Sequence, residues 1–273
     1  MPSTITKLLH FELFGCQAPN NKRMEIYFMN KTVLITGSSR GIGRAIALKL
    51  AEENFNIVIN YKERKDKADE LVQLIKGKGR DCIAIAADVS DYVQVEKMFD
   101  EIWARFGKVD ILINNAGISV YGMLQDITIE DWHNVYGTNV NGMFYCTKLA
   151  TPKMISQKYG KIINISSMWG IVGASCESLY ASTKGAINSF TKSVAKELAP
   201  SGITSNVVAP GVVLTDMLEQ LGEEAVEEVR QETPLGRHSK PEEIADVVDF
   251  LVSKKGDFFT GQIISPNGGL VIS

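Results

Sequence analysis

Thr36-Gly37-Ser38-Ser39-Arg40-Gly41-Ile42-Gly43 follows the apolar run Val33-Leu34-Ile35 and runs straight into the helical-looking stretch Arg44–Leu50. Three glycines at a strand end permit a tight turn and a close backbone approach, and the N-terminus of the following helix attracts an anion such as a pyrophosphate. A Gly-rich turn alone is weak evidence; its place between a strand and a helix makes it informative.

Outward from this turn, short β-branched runs alternate with amphipathic stretches. The runs are Thr32–Thr36, Asn56–Tyr61, Cys82–Ala86, Val109–Asn114, Lys161–Ser166, Thr204–Val208 and Gln262–Ser265. Helix-like segments fall at about 41–54, 63–78, 91–106, 128–156, 179–199 and 241–253. Val33-Leu34-Ile35 and Ile111-Leu112-Ile113 are continuously apolar, as parallel strands buried on both faces are. Such alternation implies βαβ units with right-handed crossovers. The expected fold is α/β: a single Rossmann-type doubly wound domain, with a mostly parallel seven-stranded sheet and helices on both faces.

Composition agrees. The 273 residues are 45% hydrophobic and 22% charged, ordinary globular usage. A net charge of −3 offers no basic footprint for nucleic acid or an anionic membrane, and no apolar run approaches the ~18–20 residues of a membrane helix. Cys16, Cys82, Cys146 and Cys176 are scattered without a CxxC pair, and His10, His133 and His238 show no ligand spacing. No metal site is expected, and the thiols fit a reducing cytoplasm. Residues 1–29 read as an extension, flexible or preceding a start at Met29, and 30–273 as one domain.

Further motifs follow in order: Asp88-Val89 after the third strand, Asn114-Asn115-Ala116-Gly117 after the fourth, Asn139, Ser167, Tyr180-Ala181-Ser182-Thr183-Lys184, and Pro210-Gly211. Together with the G-x-x-x-G-x-G turn, this set resembles the short-chain dehydrogenase/reductase family over about 240 residues. The resemblance implies a nicotinamide cofactor held by Gly37, Ser39, Arg40, Gly41, Ile42, Gly43, Asn60, Tyr61, Lys62, Asp88, Val89, Asn115, Ala116, Gly117, Tyr180, Lys184, Pro210, Gly211, Val213 and Thr215. It also implies a catalytic set of Asn139, Ser167, Tyr180 and Lys184. Tyr180 would donate a proton to a carbonyl oxygen, Ser167 orient that oxygen, Lys184 hold the nicotinamide ribose and Asn139 a relay water.

The spacing independently places Tyr180 and Lys184 on one helical face, where an ammonium is expected to lower the phenol's pKa. NAD-preferring enzymes place an acid at the end of the second strand. Tyr61 stands there instead, and Arg40 and Lys62 would pair with a 2′-phosphate, so NADP(H) is the expected cofactor. The alternative for both cations is a solvated surface.

For the substrate, most of the chain resembles 3-oxoacyl-acyl-carrier-protein reductases, including Pro234-Leu235-Gly236-Arg237 and Asn267-Gly268-Gly269. One stretch, Ser167-Met168-Trp169-Gly170 with Ser175-Cys176-Glu177-Ser178, is similar to elongation factor P 5-aminopentanone reductases, whose ketone is borne on a lysine of that factor. Trp169, Cys176 and Glu177 are the tentative substrate pocket. A carboxylate there suits an amine-bearing ketone; its plainer reading is an acid at a helix start, and Trp169 and Cys176 could be packing residues. The segment 216–232 carries seven acids against Arg230 and would repel an acidic carrier protein, unless it is simply a solvated helix face.

The main expectation is therefore reduction of aminopentanone-modified elongation factor P. The alternative is 3-oxoacyl carrier-protein reduction, followed by another small ketone or alcohol. A non-catalytic NADP-binding regulator is disfavoured by the intact Tyr180, Lys184 and glycine turn. A homotetramer is expected, with helices 128–156 and 179–199 at one interface and the C-terminal strand at another.

Overall fold

The computed structural model describes residues 31–215 and 223–272, excepting the side chains of 223–225. The expected 1–29 extension lies outside the described residues, as do Asp216, Glu219 and the side chains of Glu223 and Glu224.

The chain runs β1 (Thr32–Ile35), α1 (Gly41–Leu50), β2 (Asn56–Tyr61), α2 (Lys65–Gly77), β3 (Cys82–Ala86), α3 (Tyr92–Phe106) and β4 (Ile111–Asn114). It continues with α4 (Ile129–Tyr136), α5 (Gly142–Gln157), β5 (Gly160–Ile165), α6 (Trp169–Val172), α7 (Ser178–Leu198), β6 (Ile203–Val208), α8 (Glu223–Glu232), α9 (Pro241–Val252) and β7 (Ile263–Ile264). The strands form one seven-stranded sheet in the order β3-β2-β1-β4-β5-β6-β7. Every ladder is parallel, so the sheet is wholly rather than mostly parallel.

Strand pleating explains why the inner strands are apolar throughout. Val33 and Ile35 of β1 face one core with Ile46 and Leu50 of α1, Leu71 and Ile75 of α2, and Val248 and Leu251 of α9. Leu34, between them, faces the opposite core with Phe99 and Ile102 of α3, Cys146 and Met154 of α5, and Val194 and Leu198 of α7. Both faces are dry, so no polar alternation is left to read. No helix among the described residues is long and apolar enough to cross a membrane.

Two local findings differ from the sequence reading. The expected 128–156 helix is broken: α4 and α5 are joined by a π-helical segment, Gly137–Asn141. The glycines at its two ends allow close packing, since a Cβ on Gly142 would stand 2.7 Å from Val89 Cγ2. A four-residue helix, α6, also stands between Ser167 and α7. Strand order reverses between β2-β1 and β4-β5, which opens a crevice at the carboxyl ends of β1 and β4, where α/β sheets bind ligands.

Candidate active site

The crevice is built by the turn after β1 and the loop after β4. Gly37 and Gly41 have φ of +60° and +55°, the left-handed region that favours glycine. A Cβ on Gly37 would lie 2.8 Å from Ala116 Cα, and one on Gly43 would lie 2.5 Å from Asn115 Nδ2. Three side chains lock this packing. The Thr36 hydroxyl accepts from the Asn115 and Ala116 amides at 3.0 and 3.1 Å. Asn115 Nδ2 donates to the Thr36 and Gly37 carbonyls at 2.9 and 3.0 Å. Asn60 Oδ1 accepts from the Gly37 amide at 3.1 Å, while its Nδ2 donates to the Ala87 carbonyl at 3.0 Å.

The turn therefore feeds the N-terminus of α1, which carries no acid in its first turn. Exposed Arg40 stands at its cap, and Thr215 is packed above Gly41. A cradle emptied of side chains at a helix N-terminus fits the pyrophosphate of a dinucleotide. Further along the crevice, Lys62 pairs with Asp88 at 2.8 Å, and the other Asp88 oxygen accepts from the Ser90 amide and hydroxyl. Pro210 accepts from the Met168 amide at 2.9 Å, Gly211 packs on Asn267, and Val213 is bridged to Ser239.

Deeper in, α7 presents Tyr180 and Lys184. The Lys184 ammonium is buried, donates to the Ile165 carbonyl at 2.9 Å and lies 5.3 Å from the centre of the Tyr180 ring. A Cβ on Gly117 would stand 3.4 Å from both Lys184 Nζ and Asn139 Oδ1, so the loop after β4 closes directly over this pair. Ser167 hydrogen-bonds the Tyr180 phenol and accepts from the Trp169 amide. The short helix α6 is seated on α7 at Gly170, where a Cβ would meet the Lys184 backbone at 2.6 Å.

The electrostatics differ from expectation. The phenol's pKa lies above its ordinary value rather than below it. Burial, then the nearby Glu177 carboxylate, push the Tyr180 pKa up against a smaller downward pull from Ser167. Burial also brings the Lys184 ammonium down to about 8, because the low-dielectric interior disfavours its charge.

Asn139 is held at both ends of its side-chain amide. Its Oδ1 accepts from the Ile118 amide at 2.8 Å, and its Nδ2 donates to the Ile118 carbonyl and to Thr183 Oγ1 at 2.9 and 3.0 Å. The side chain anchors the loop after β4 to α7.

The mouth lies between that loop and the α6–α7 connection. Glu177 precedes α7, yet its side chain makes no capping bond. Its carboxylate instead accepts from Ser119 Oγ at 3.5 Å and from Trp169, and desolvation raises its pKa. Cys176 holds a φ of +59°, accepts the Gly122 amide on its carbonyl at 2.8 Å, and has Sγ 3.5 Å from Met123 Sδ. Tyr121, which bonds Cys176, also feels the carboxylates of Glu177 and, from α8, Glu228. Glu177 thus stands at the helix start, with its carboxylate turned to Ser119 and Trp169.

A family model for short chain dehydrogenases matches residues 31–226. The chain belongs to the short-chain dehydrogenase family. It is an NAD(P)-dependent oxidoreductase acting on CH–OH groups. It is 45% identical over 242 residues to the 3-oxoacyl-acyl-carrier-protein reductase FabG of Staphylococcus aureus, covering 89% of this chain and 98% of that one. It is 40% identical over 243 residues to the 3-oxoacyl-acyl-carrier-protein reductase of Synechocystis, covering 89% and 97%. A solved blue fluorescent protein from a metagenomic library, in complex with NADPH, superposes with a TM-score of 0.84 at 36% identity, covering 89% and 99%.

Within this dehydrogenase, the expected residues gather around the one crevice, but not all face it. Asn60 and Tyr61 were expected at the cofactor. Instead Asn60 is buried beneath the turn it holds, and Tyr61 belongs to the core under α1 and α2. Thr36, Thr183 and Ser119 were not singled out from the sequence. Each is an ordinary hydroxyl whose role depends on a partner 58 or more residues away or, for Thr183, 44 residues away. The one available signal was the position of Thr36 beside the glycine turn.

Proposed function

We propose that this dehydrogenase reduces a ketone to a secondary alcohol with NADPH, and that the ketone is a 3-oxoacyl group on an acyl carrier protein. The observation that carries the reading is Tyr180 beside the buried Lys184, with Ser167 on the phenol, set below a glycine cradle. The reductase relatives, matched over nearly their whole length, support the carrier-protein substrate. The fold neighbour bound to NADPH supports the cofactor.

Ser39, Arg40, Gly41, Ile42 and Gly43 would hold the pyrophosphate, Arg40 and Lys62 the 2′-phosphate, and Asp88 and Val89 the adenine. Asn115, Ala116, Gly117, Lys184, Pro210, Gly211, Val213 and Thr215 would line the nicotinamide half. When bound, NADPH supplies the hydride. Tyr180 then gives its phenolic proton to the carbonyl oxygen, and Ser167 orients that oxygen. Lys184 and Ser167 stabilise the phenolate left behind, and solvent returns its proton. Asn139 acts by fixing Ile118 against Thr183.

A second reading, an amine-bearing ketone on elongation factor P, is favoured by one observation: the half-buried Glu177 carboxylate beside the proton donor. NADPH oxidation with acetoacetyl carrier protein and with aminopentanone-modified elongation factor P separates them. The first reading requires the larger kcat/KM for the carrier thioester, and the reverse order installs the second. A cytoplasmic homotetramer completes the proposal, and a monomeric mass by light scattering at micromolar concentration refutes the assembly.

A further inference from the structure

Two threonines of α7, Thr183 and Thr191, share one chemistry and differ in where it leads. Both are fully buried. Each donates its single hydroxyl proton to a carbonyl of its own helix at 2.7 Å, Thr183 to Tyr180 and Thr191 to Ile187. With that proton committed, the hydroxyl can only accept from any other group. Each accepts from an asparagine amide: Thr191 from Asn164 of β5 at 2.8 Å, Thr183 from Asn139 at 3.0 Å. The Asn164 bond joins the helix to the sheet. The Asn139 bond leads instead to the loop after β4, because the same amide holds both the N–H and the C=O of Ile118.

Thr183 also sets the direction of that amide. Its hydroxyl offers a lone pair, so Asn139 turns its NH2 end toward α7 and its oxygen toward the Ile118 amide. A Cβ on Gly117 would stand 3.4 Å from that oxygen and equally far from Lys184 Nζ. The loop is thereby seated on the turn of α7 that carries Tyr180 and Lys184. We propose that Thr183 is a positioning residue: its hydroxyl fixes the loop after β4 against the Tyr180 turn and so sets the geometry of the reacting end of the site. The inference rests on Tyr180 being the proton donor. The glycine cradle is locked separately, by Thr36, Asn115 and Asn60. Loss of the Thr183 hydroxyl therefore acts on turnover and spares cofactor binding, since a small displacement at the reacting atoms is felt in kcat.

The test uses NADPH and ethyl acetoacetate, well below the thermal midpoint of every variant. Thr183→Val is expected to lower kcat about tenfold, with KM for the ketone and Kd for NADPH within about threefold of the parent. Thr183→Ser restores the hydroxyl and is expected to bring kcat back to within about threefold. Thr191→Val loses the same kind of buried bond, so its midpoint is expected to fall while kcat stays within about twofold. Amide exchange over residues 115–122, read by mass spectrometry, is expected to quicken in Thr183→Val and not in Thr191→Val. Adding Thr183→Val to Asn139→Ala is expected to cost less than about twofold more, because the two side chains act as one unit. A kcat for Thr183→Val within about threefold of the parent, with Tyr180→Phe inactive, overturns the proposal alone. So does an equal kcat loss in Thr183→Ser or in Thr191→Val, or a full additive loss in the double variant. Turnover surviving in Tyr180→Phe overturns the proton-donor reading and the proposal with it. If Thr183→Val does not fold, Thr183→Cys replaces it, since a thiol is a weak donor and acceptor, and an unchanged kcat then overturns the proposal.

Discussion

The Lys184 ammonium lies 5.3 Å from the centre of the Tyr180 ring and donates a hydrogen bond to the Ile165 carbonyl at 2.9 Å, within a site that leaves Lys184 3% exposed. A charge this deep is held against its own desolvation, and its pKa falls from 10.5 to about 8. The folded pKa is below the unfolded one, so the unfolded chain binds more protons between pH 8 and 10.5. Across that window the Lys184 contribution to stability rises with pH; below it the burial penalty is fully present.

Lys184→Met is therefore expected to stabilise the fold at pH 7 by roughly 1–3 kcal/mol while removing turnover. The thermal midpoint and kcat check the two halves. A midpoint that falls would mean that the bond to Ile165 outweighs the burial penalty.

Tyr180→Phe deletes the proton donor and nothing that shapes the crevice. Turnover is expected to fall at least ~100-fold, in the range of general-acid contributions, with NADPH binding by fluorescence unchanged within about twofold. Weakened NADPH binding would show that the phenol also holds the cofactor.

Lys62 tests cofactor choice. It is bound to Asp88 in this structure, so it can serve a 2′-phosphate only by sharing or leaving that carboxylate. Lys62→Ala is expected to weaken NADPH about tenfold and leave NADH nearly unchanged, as befits a largely exposed charge-assisted contact. Equal weakening of both cofactors would move Lys62 from the phosphate to the support of Asp88.

Two glycines give a matched pair. Gly43→Ala would press a Cβ to 2.5 Å from Asn115 Nδ2 and 2.8 Å from Ser38 Cα, so it is expected to cost about 2–4 kcal/mol and most NADPH affinity. Gly79 has φ of +77° but open space around it, and Gly79→Ala is expected to cost about 1–2 kcal/mol from backbone strain alone, with binding intact. Denaturant midpoints and NADPH titration separate crowding from strain.

How far the sequence carries depends on whether a feature is local. β2 and β3 begin and end where the β-branched runs do, because each run is bounded by turn chemistry a few residues away. The crevice was legible for the same reason: glycines between a strand and a helix are a local pattern. The break at Gly137–Asn141 was not, because α4 and α5 continue one helical pattern, and the close approach of Gly142 to Val89 beside the break joins residues far apart in sequence. Nor was the inward turn of Asn60, whose partners Gly37 and Ala87 lie 23 and 27 residues away. The raised Tyr180 pKa was missed because spacing reports which charges are near but not how dry the site is. Burial reverses the sign expected from Lys184.

Thr36 is the position where this long-range chemistry is most open to measurement. Its hydroxyl is 2% exposed and takes two amide protons, from Asn115 and Ala116, at the point where β4 delivers the loop that covers Lys184. Thr36→Val keeps the branched shape but leaves both amides without an acceptor in a partly buried place, at up to about 1–3 kcal/mol each. A loss of roughly 2–4 kcal/mol is expected, since the Asn115 side chain still ties the same loop to the Thr36 and Gly37 carbonyls. NADPH affinity is expected to fall with it. Thr36→Ser restores the acceptor without the methyl and is expected to recover most of both. If Thr36→Val and Thr36→Ser lose the same stability, the methyl's packing governs the position, and the hydroxyl is not what joins the glycine turn to the loop.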